Sequence, residues 1–129
     1  SRIKTGAVND EIDIQIAGKQ PLVAIITHDS TEELALSVGA EVFALVSASS
    51  VILMAENEEA KLSARNRLTG KITRIQIGAV NTDISIALPG GAVLSAVITN
   101  ESCEEMGLKK GMKVTGLFKA SAVILGVPA

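Results

Sequence analysis

Aromatic side chains are nearly missing from this chain: 129 residues contain no Trp, no Tyr and only two Phe. A core without rings has to be packed from aliphatic side chains, and abundant Ile and Val favour strands over helices. The same scarcity removes the stacking platforms on which single-stranded nucleic acid is held. A single cysteine, Cys103, excludes an internal disulfide and fits a reducing compartment. With one histidine, His28, beside that one cysteine, no nucleophile–base pair and no cation-ligand spacing can be assembled, so an enzyme is not expected and no residue is expected to ligate a cation directly. An 18-residue apolar run and a signal peptide are both missing, which points to a cytoplasmic protein that neither spans nor crosses a membrane. A formal charge of −2 supplies no basic field, and this weighs against nucleic acid or an anionic membrane as partner.

What is present is a repeat. "GAVNDEIDIQIAG" at 6–18 answers "GAVNTDISIALPG" at 78–90, "LVAIITHDSTEELALSVG" at 22–39 answers "LSAVITNESCEEMGLKKG" at 94–111, and "SASSVIL" at 47–53 answers "KASAVIL" at 119–125. The offset of 72 holds without a gap from Ser1/Thr73 to Met54/Gly126, and 25 of those 54 pairs are identical, so two copies of one module are expected. The module boundaries fall at 1–56 and 63–129, with 57–62 as linker inside the charged stretch "AENEEAKL".

Each module reads as short strands with one brief helix. Ile12, Ile14 and Ile16 alternate with Glu11, Asp13 and Gln15 as in a half-buried strand, and Ile84, Ile86 and Leu88 repeat the pattern. Gly18 and Pro89-Gly90-Gly91 mark hairpin turns. The next strands, 22–26 and 94–98, are largely apolar on both faces, which predicts cover on both sides. A short helix follows, starting at Asp29/Ser30 or Glu101/Ser102, with acidic residues suited to its first turn. Strands near 41–46 and 51–54, and again 113–118 and 122–126, close the modules. The sum is an all-β fold with one short helix per module: two tandem OB-like, five-stranded barrels. Modules this small bury a limited share of their surface, so pairing and oligomerisation are expected.

One segment occurs once. "LSARNRLTG" at 62–70 carries Ser63, Arg65, Asn66 and Arg67, and its counterpart in the first module would precede residue 1. At "SARNRLTGKI", followed by "GAVN", "VIT", "KAS" and "VILGVPA", the chain resembles the molbindin (Mop, or TOBE-type) molybdate-binding family, in its two-module form. The resemblance implies OB-like modules that associate, often as trimers, and bind molybdate or tungstate in the cytoplasm for storage and homeostasis, without an organic cofactor. It also implies an alternative, a ligand-sensing domain of a molybdate-responsive transcription factor or of a transporter ATPase.

The resemblance further implies the ligands. Ser63, Arg65, Lys119 and Ala120, the last through its backbone N–H, would lie on one side of the oxyanion. Thr27 and Ser30, or Thr99 and Ser102, of "T-x-x-S" would complete the site, often from a neighbouring module or subunit. The chemistry is coherent, because a tetrahedral dianion offers four acceptors and no donor. Ser47 stands where Lys119 stands in the other copy, so the first module alone lacks the charged half of a site. Read without the resemblance, Thr27, Ser30, Thr99 and Ser102 are helix caps. His28, replaced by Asn100 in the second copy, reads as an exposed polar position, and Cys103, replaced by Thr31, as a small semi-buried side chain.

Overall fold

The computed structural model describes residues 2–16, 21–55 and 66–128. In the first copy β1 (Arg2–Lys4), β2 (Asn9–Gln15) and β3 (Pro21–Thr27) form an antiparallel sheet, followed by the helix α1 (His28–Glu33), β4 (Phe43–Val46), a 3₁₀ turn at Ala48–Ser50 and β5 (Ile52–Ala55). The second copy repeats the order with β6 (Asn66–Ile77), β7 (Asn81–Ala87), β8 (Val93–Thr99), α2 (Asn100–Met106), β9 (Lys113–Phe118), a 3₁₀ turn at Ala120–Ala122 and β10 (Val123–Gly126). The expected β-rich fold with one helix per copy is therefore observed. Each helix begins one or two residues earlier than expected, because Thr27 and Thr99, not the following acidic residues, serve as N-caps.

The periodicity places the side chains as alternation demands. Ile84, Ile86 and Leu88 turn inward from β7 and its end, while Asp83 and Ser85 turn out. In β3 and β8 only one face is fully closed: Leu22, Ala24, Leu94 and Ala96 are buried, whereas Ser95 is exposed and Val23 and Val97 are half-covered. The expected burial of both faces is thus met on one.

The pairing of the last strands could not be read from the repeat. β5 does not pair with β4, nor β10 with β9. Instead β5 lies antiparallel to β9, with Ile52 opposite Leu117 and Ala55 opposite Val114. β10 lies antiparallel to β4, with Val123 opposite Val46 and Gly126 opposite Phe43. The copies have exchanged their final strands. One contiguous core follows, in which Ile12, Leu22 and Ala24 of the first copy join Ile84, Leu94 and Val114 of the second.

The 12-residue β6 organises the second copy. Its first half pairs with β9 from Asn66/Phe118 to Lys71/Lys113, and its second half pairs with β7 from Lys71/Ala87 to Ile77/Thr82, across a bulge between Ile72 and Arg74. Gly70 sits at the switch, where a Cβ would collide with the Ala87 carbonyl, so only glycine fits. Among the described residues no strand bridges β2 and β4 in this way, and the first copy is split into β1–β2–β3 and the separate β4–β10 ladder. Side chains of β4 are accordingly more exposed than those of β9.

Asn66 stitches the copies together. It is buried, its Nδ2 donates to the Val23 carbonyl at 2.7 Å, and its Oδ1 accepts from the Val23 amide at 2.7 Å. One side chain thus satisfies both main-chain groups of a residue in the other copy. Replacing Asn66 with Ala leaves that donor and acceptor unpaired in a part-buried interface, and each orphan costs about 1–3 kcal/mol. Urea unfolding of Asn66→Ala should show a loss of about 2–4 kcal/mol with unchanged cooperativity; a loss of only a few tenths would mean that the stitch contributes nothing.

Candidate functional site

The helix entrances are built identically in the two copies. Thr27 adopts an extended conformation and its Oγ1 accepts from the Ser30 amide at 3.2 Å while donating to Ser30 Oγ at 2.8 Å. Thr99 and Ser102 do the same at 3.1 and 2.8 Å. "T-x-x-S" is therefore an N-cap in both places, and the two hydroxyls of each pair are held side by side and accessible.

Strand exchange decides what these entrances face. β3 packs against the Ala120–Ala122 turn of the second copy, and β8 packs against the Ala48–Ser50 turn of the first. Thr27 and Ser30 share a cavity of about 470 Å³ with Ser121 and Val123, at the turn that Lys119 opens. Lys119 is exposed and Ala120 is buried. The structure thus brings Thr27 and Ser30 beside Ser121, whereas Lys119 and Ala120 do not line this cavity. Thr99 and Ser102 do not line this cavity; β8 leads instead to the turn opened by Ser47, whose hydroxyl lies 3.0 Å from that of Ser49. Ser63, Arg65 and the 57–62 linker lie outside the described residues. Sequence reasoning passed over Ser121, for which a place in "KAS" was the available signal.

It also misplaced His28. The side chain is not simply exposed: Nδ1 lies 3.1 Å from Asp10 Oδ2 and Nε2 lies 3.0 Å from Glu32 Oε1. Asp10 is fully buried and also accepts from the Gly6 amide at 3.0 Å. The reason for the misreading is that a strand residue and a helix residue 18 positions apart meet only after folding. In the second copy the same places hold Thr82 and Asn100. Thr82 Oγ1 donates to Asn100 Oδ1 at 2.6 Å, and Asn100 Nδ2 donates to the Gly78 carbonyl at 3.0 Å. One copy is clasped by ions and the other by neutral groups. Cys103 is the buried residue of α2, as a small apolar side chain would be.

Hydrogen bonding to Thr31 is the main cause that holds the Asp10 carboxyl below the usual carboxylate range; Gly6 and His28 add to it, and burial opposes it. Asp10 in turn is the main cause that holds His28 above the usual histidine value, with Glu32 adding a smaller share. Among the described residues no cluster of His, Cys, Asp and Glu could hold a metal ion, and no helix is long and apolar enough to cross a membrane.

The lowered Asp10 pKa makes its contribution to stability present above 3.8 and lost as pH falls through the folded value. The raised His28 pKa makes its contribution complete below 6.5 and lost as pH rises through the folded value. The clasp is therefore strongest in the mildly acidic range between. Melting temperature followed by circular dichroism should decline on the alkaline side of that range, and His28→Asn should remove the decline; an equal slope in both proteins would refute the assignment.

Comparison with known proteins adds an independent line. A TOBE domain pattern matches residues 1–53 and 62–125. The chain is 43% identical over 128 residues to the molybdenum-pterin-binding protein MopA of Rhodobacter capsulatus, covering 99% of this chain and 48% of MopA. It is 42% identical over 125 residues to the molybdenum transport protein ModE of Azotobacter vinelandii, covering 97% of this chain and 46% of ModE. The chain thus spans about half the length of these relatives. A crystal structure of the cytoplasmic molybdate-binding protein ModG, with molybdate bound, superposes with a TM-score of 0.95 at 45% identity, over 99% of this chain and 91% of that one.

Proposed function

Because the chain belongs to the TOBE-domain family, we propose that it binds molybdate, or tungstate, as an oxyanion and catalyses nothing. The observation that supports this reading is the cavity that Thr27 and Ser30 share with Ser121, in the turn that follows Lys119. Likeness to ModG over nearly the whole chain supports the same ligand class. Hydroxyls of Thr27 and Ser30, the Ala120 amide and the Lys119 ammonium are the donors proposed on the described residues, and Ser63 and Arg65 are proposed beside them on the "SARN" motif. Thr99 and Ser102 are proposed as the equivalent entrance of a second site. All of these groups donate to oxo oxygens; none ligates the metal.

A charged anion in a cavity open to water is weakly held, because screening leaves about 1 kcal/mol per close charge pair. Cover is needed, and the surface suggests where it comes from. Val8 and Val80 are 72% and 70% exposed, and Ile52 and Ile124 are 66% and 65% exposed, so the same two apolar positions are left bare in both copies. We propose that further copies of the chain cover them in a homo-oligomer, a trimer by the family resemblance, which closes the sites in the cytoplasm for molybdenum storage and homeostasis. Light scattering on a sizing column should give more than one chain per particle, and Ile52→Glu with Ile124→Glu should reduce it; a monomer in the parent protein excludes the assembly.

Relatives that are transcriptional regulators named ModE, 34% identical, favour a second reading, a ligand-sensing portion of a regulator, since this chain matches less than half of each. Both readings share the same ligand. Calorimetry should show saturable molybdate uptake at micromolar protein, weakened at least tenfold by Arg65→Ala, equivalent to about 1.4 kcal/mol. Undetectable uptake would end both readings.

A further inference from the structure

We propose that Asp10, His28 and Glu32 form a proton-operated latch on the Thr27/Ser30 entrance, and that the Thr99/Ser102 entrance has no such latch. The proposal rests on the oxyanion reading above and adds its regulation.

The geometry is specific to one copy. His28 is the first residue of α1, directly after the capping Thr27, and its backbone amide donates to the Val8 carbonyl at 2.8 Å. Asn100 makes the matching bond to Val80 at 3.0 Å, so the backbone frame is common to both copies. On that frame the first copy places a buried carboxylate, an imidazole and a second carboxylate in a row, while the second places a hydroxyl and an amide in the first two positions and keeps the carboxylate, Glu104, with no imidazole to pair it. Asp10 also grips the Gly6 amide, so the row ties the turn before β2 to the start of the helix. Among the described residues the ionisable groups that meet His28 are Asp10 from β2 and Glu32 from its own helix; the turn and the end of β3 contribute main-chain and hydroxyl groups. Asp29 and Glu33 share α1 and keep its surroundings acidic.

Protonated, His28 pairs both carboxylates at once and sets a positive charge one residue from the capping hydroxyl. Neutral, it bonds fewer partners and leaves Asp10 and Glu32 uncompensated beside an entrance that must admit a dianion. Entry at Thr27/Ser30 is therefore favoured by the protonated state, and His28 acts as a positioning residue there, through Asp10 and α1. Molybdate remains a dianion across neutral pH, so any pH response in that range belongs to the protein. The second entrance, where Thr82 meets Asn100, carries carboxylates but no histidine and should not respond in that range.

The chain has a single histidine, so its imidazole Cε1–H gives a single resonance. Titration of that proton in the full chain should show a midpoint above 6.5, lowered by Asp10→Asn and lowered less by Glu32→Gln. A midpoint at or below that value overturns the latch. Molybdate calorimetry between about pH 6 and about pH 8.5, spanning the histidine range, should show affinity at one class of site falling on the order of three- to tenfold as pH rises. The double variant Asp10→Thr/His28→Asn, which grafts the second copy's own pair, should flatten that profile. Glu32→Gln, at a largely exposed position, should shift the profile to lower pH without threatening the fold. Uptake with an unaltered profile in both variants overturns the latch and leaves the oxyanion reading standing. No uptake by the parent protein at any pH overturns both.

Discussion

The exchange of β5 and β10 is the constraint on which the remaining architecture rests. Each final strand leaves its own copy after a 3₁₀ turn and completes the ladder of the other, so neither copy closes its core alone. Exchange also turns a tandem repeat into an interlocked pair in which the turn ending one copy lies against the strand leading to the other's helix entrance. Had β5 folded back on β4, Thr27 would face its own copy's Ser47 turn. Exchange instead brings it to the turn opened by Lys119, the one copy of that turn with a cation.

Within this shared frame the copies differ where polar chemistry is concerned and agree where packing is. Ile12 matches Ile84, Leu22 matches Leu94 and Ala24 matches Ala96, all buried. Asp10, His28 and Thr31 are set against Thr82, Asn100 and Cys103, and both sets fill the same space beneath the helix start. A buried carboxylate is tolerable only with its partners present, so Asp10 requires the Gly6 amide and the His28 and Thr31 side chains together. Change at one of these positions without the others would strand a charge. The neutral set has no such condition, and Cys103 can contribute volume alone.

Much of this fold was legible because one-dimensional patterns carry it. Alternation along "EIDIQI" and "TDISIAL" fixes which faces are buried, and the 72-residue offset fixes that there are two copies. "T-x-x-S" is local too, since a cap bonds within its own turn. Strand exchange was not legible, because β5 satisfies the same alternation against β4 or β9 and only the three-dimensional closure selects. Asn66 was visible in a motif, yet its partner Val23 lies 43 residues away and offers only main-chain atoms, which carry no sequence signal. For the same reason His28 looked like an exposed residue until Asp10 came beside it.

Asn66 joins these threads. Its neighbours in sequence, Ser63 and Arg65, are the proposed anion donors, and its own side chain is spent on the other copy's β3. From Val23, β3 continues to Thr27, so the residue within "SARN" is tied through four residues of paired strand to the hydroxyl proposed to face the same anion. A strand held by ladder bonds on one side and by Asn66 on the other transmits position rather than slack. The Thr27 hydroxyl can then be held in place before any anion arrives, which spares the binding step the cost of ordering it. On the proposed reading, preorganisation of this kind, not the count of positive charges, lets a chain of net charge −2 hold a dianion.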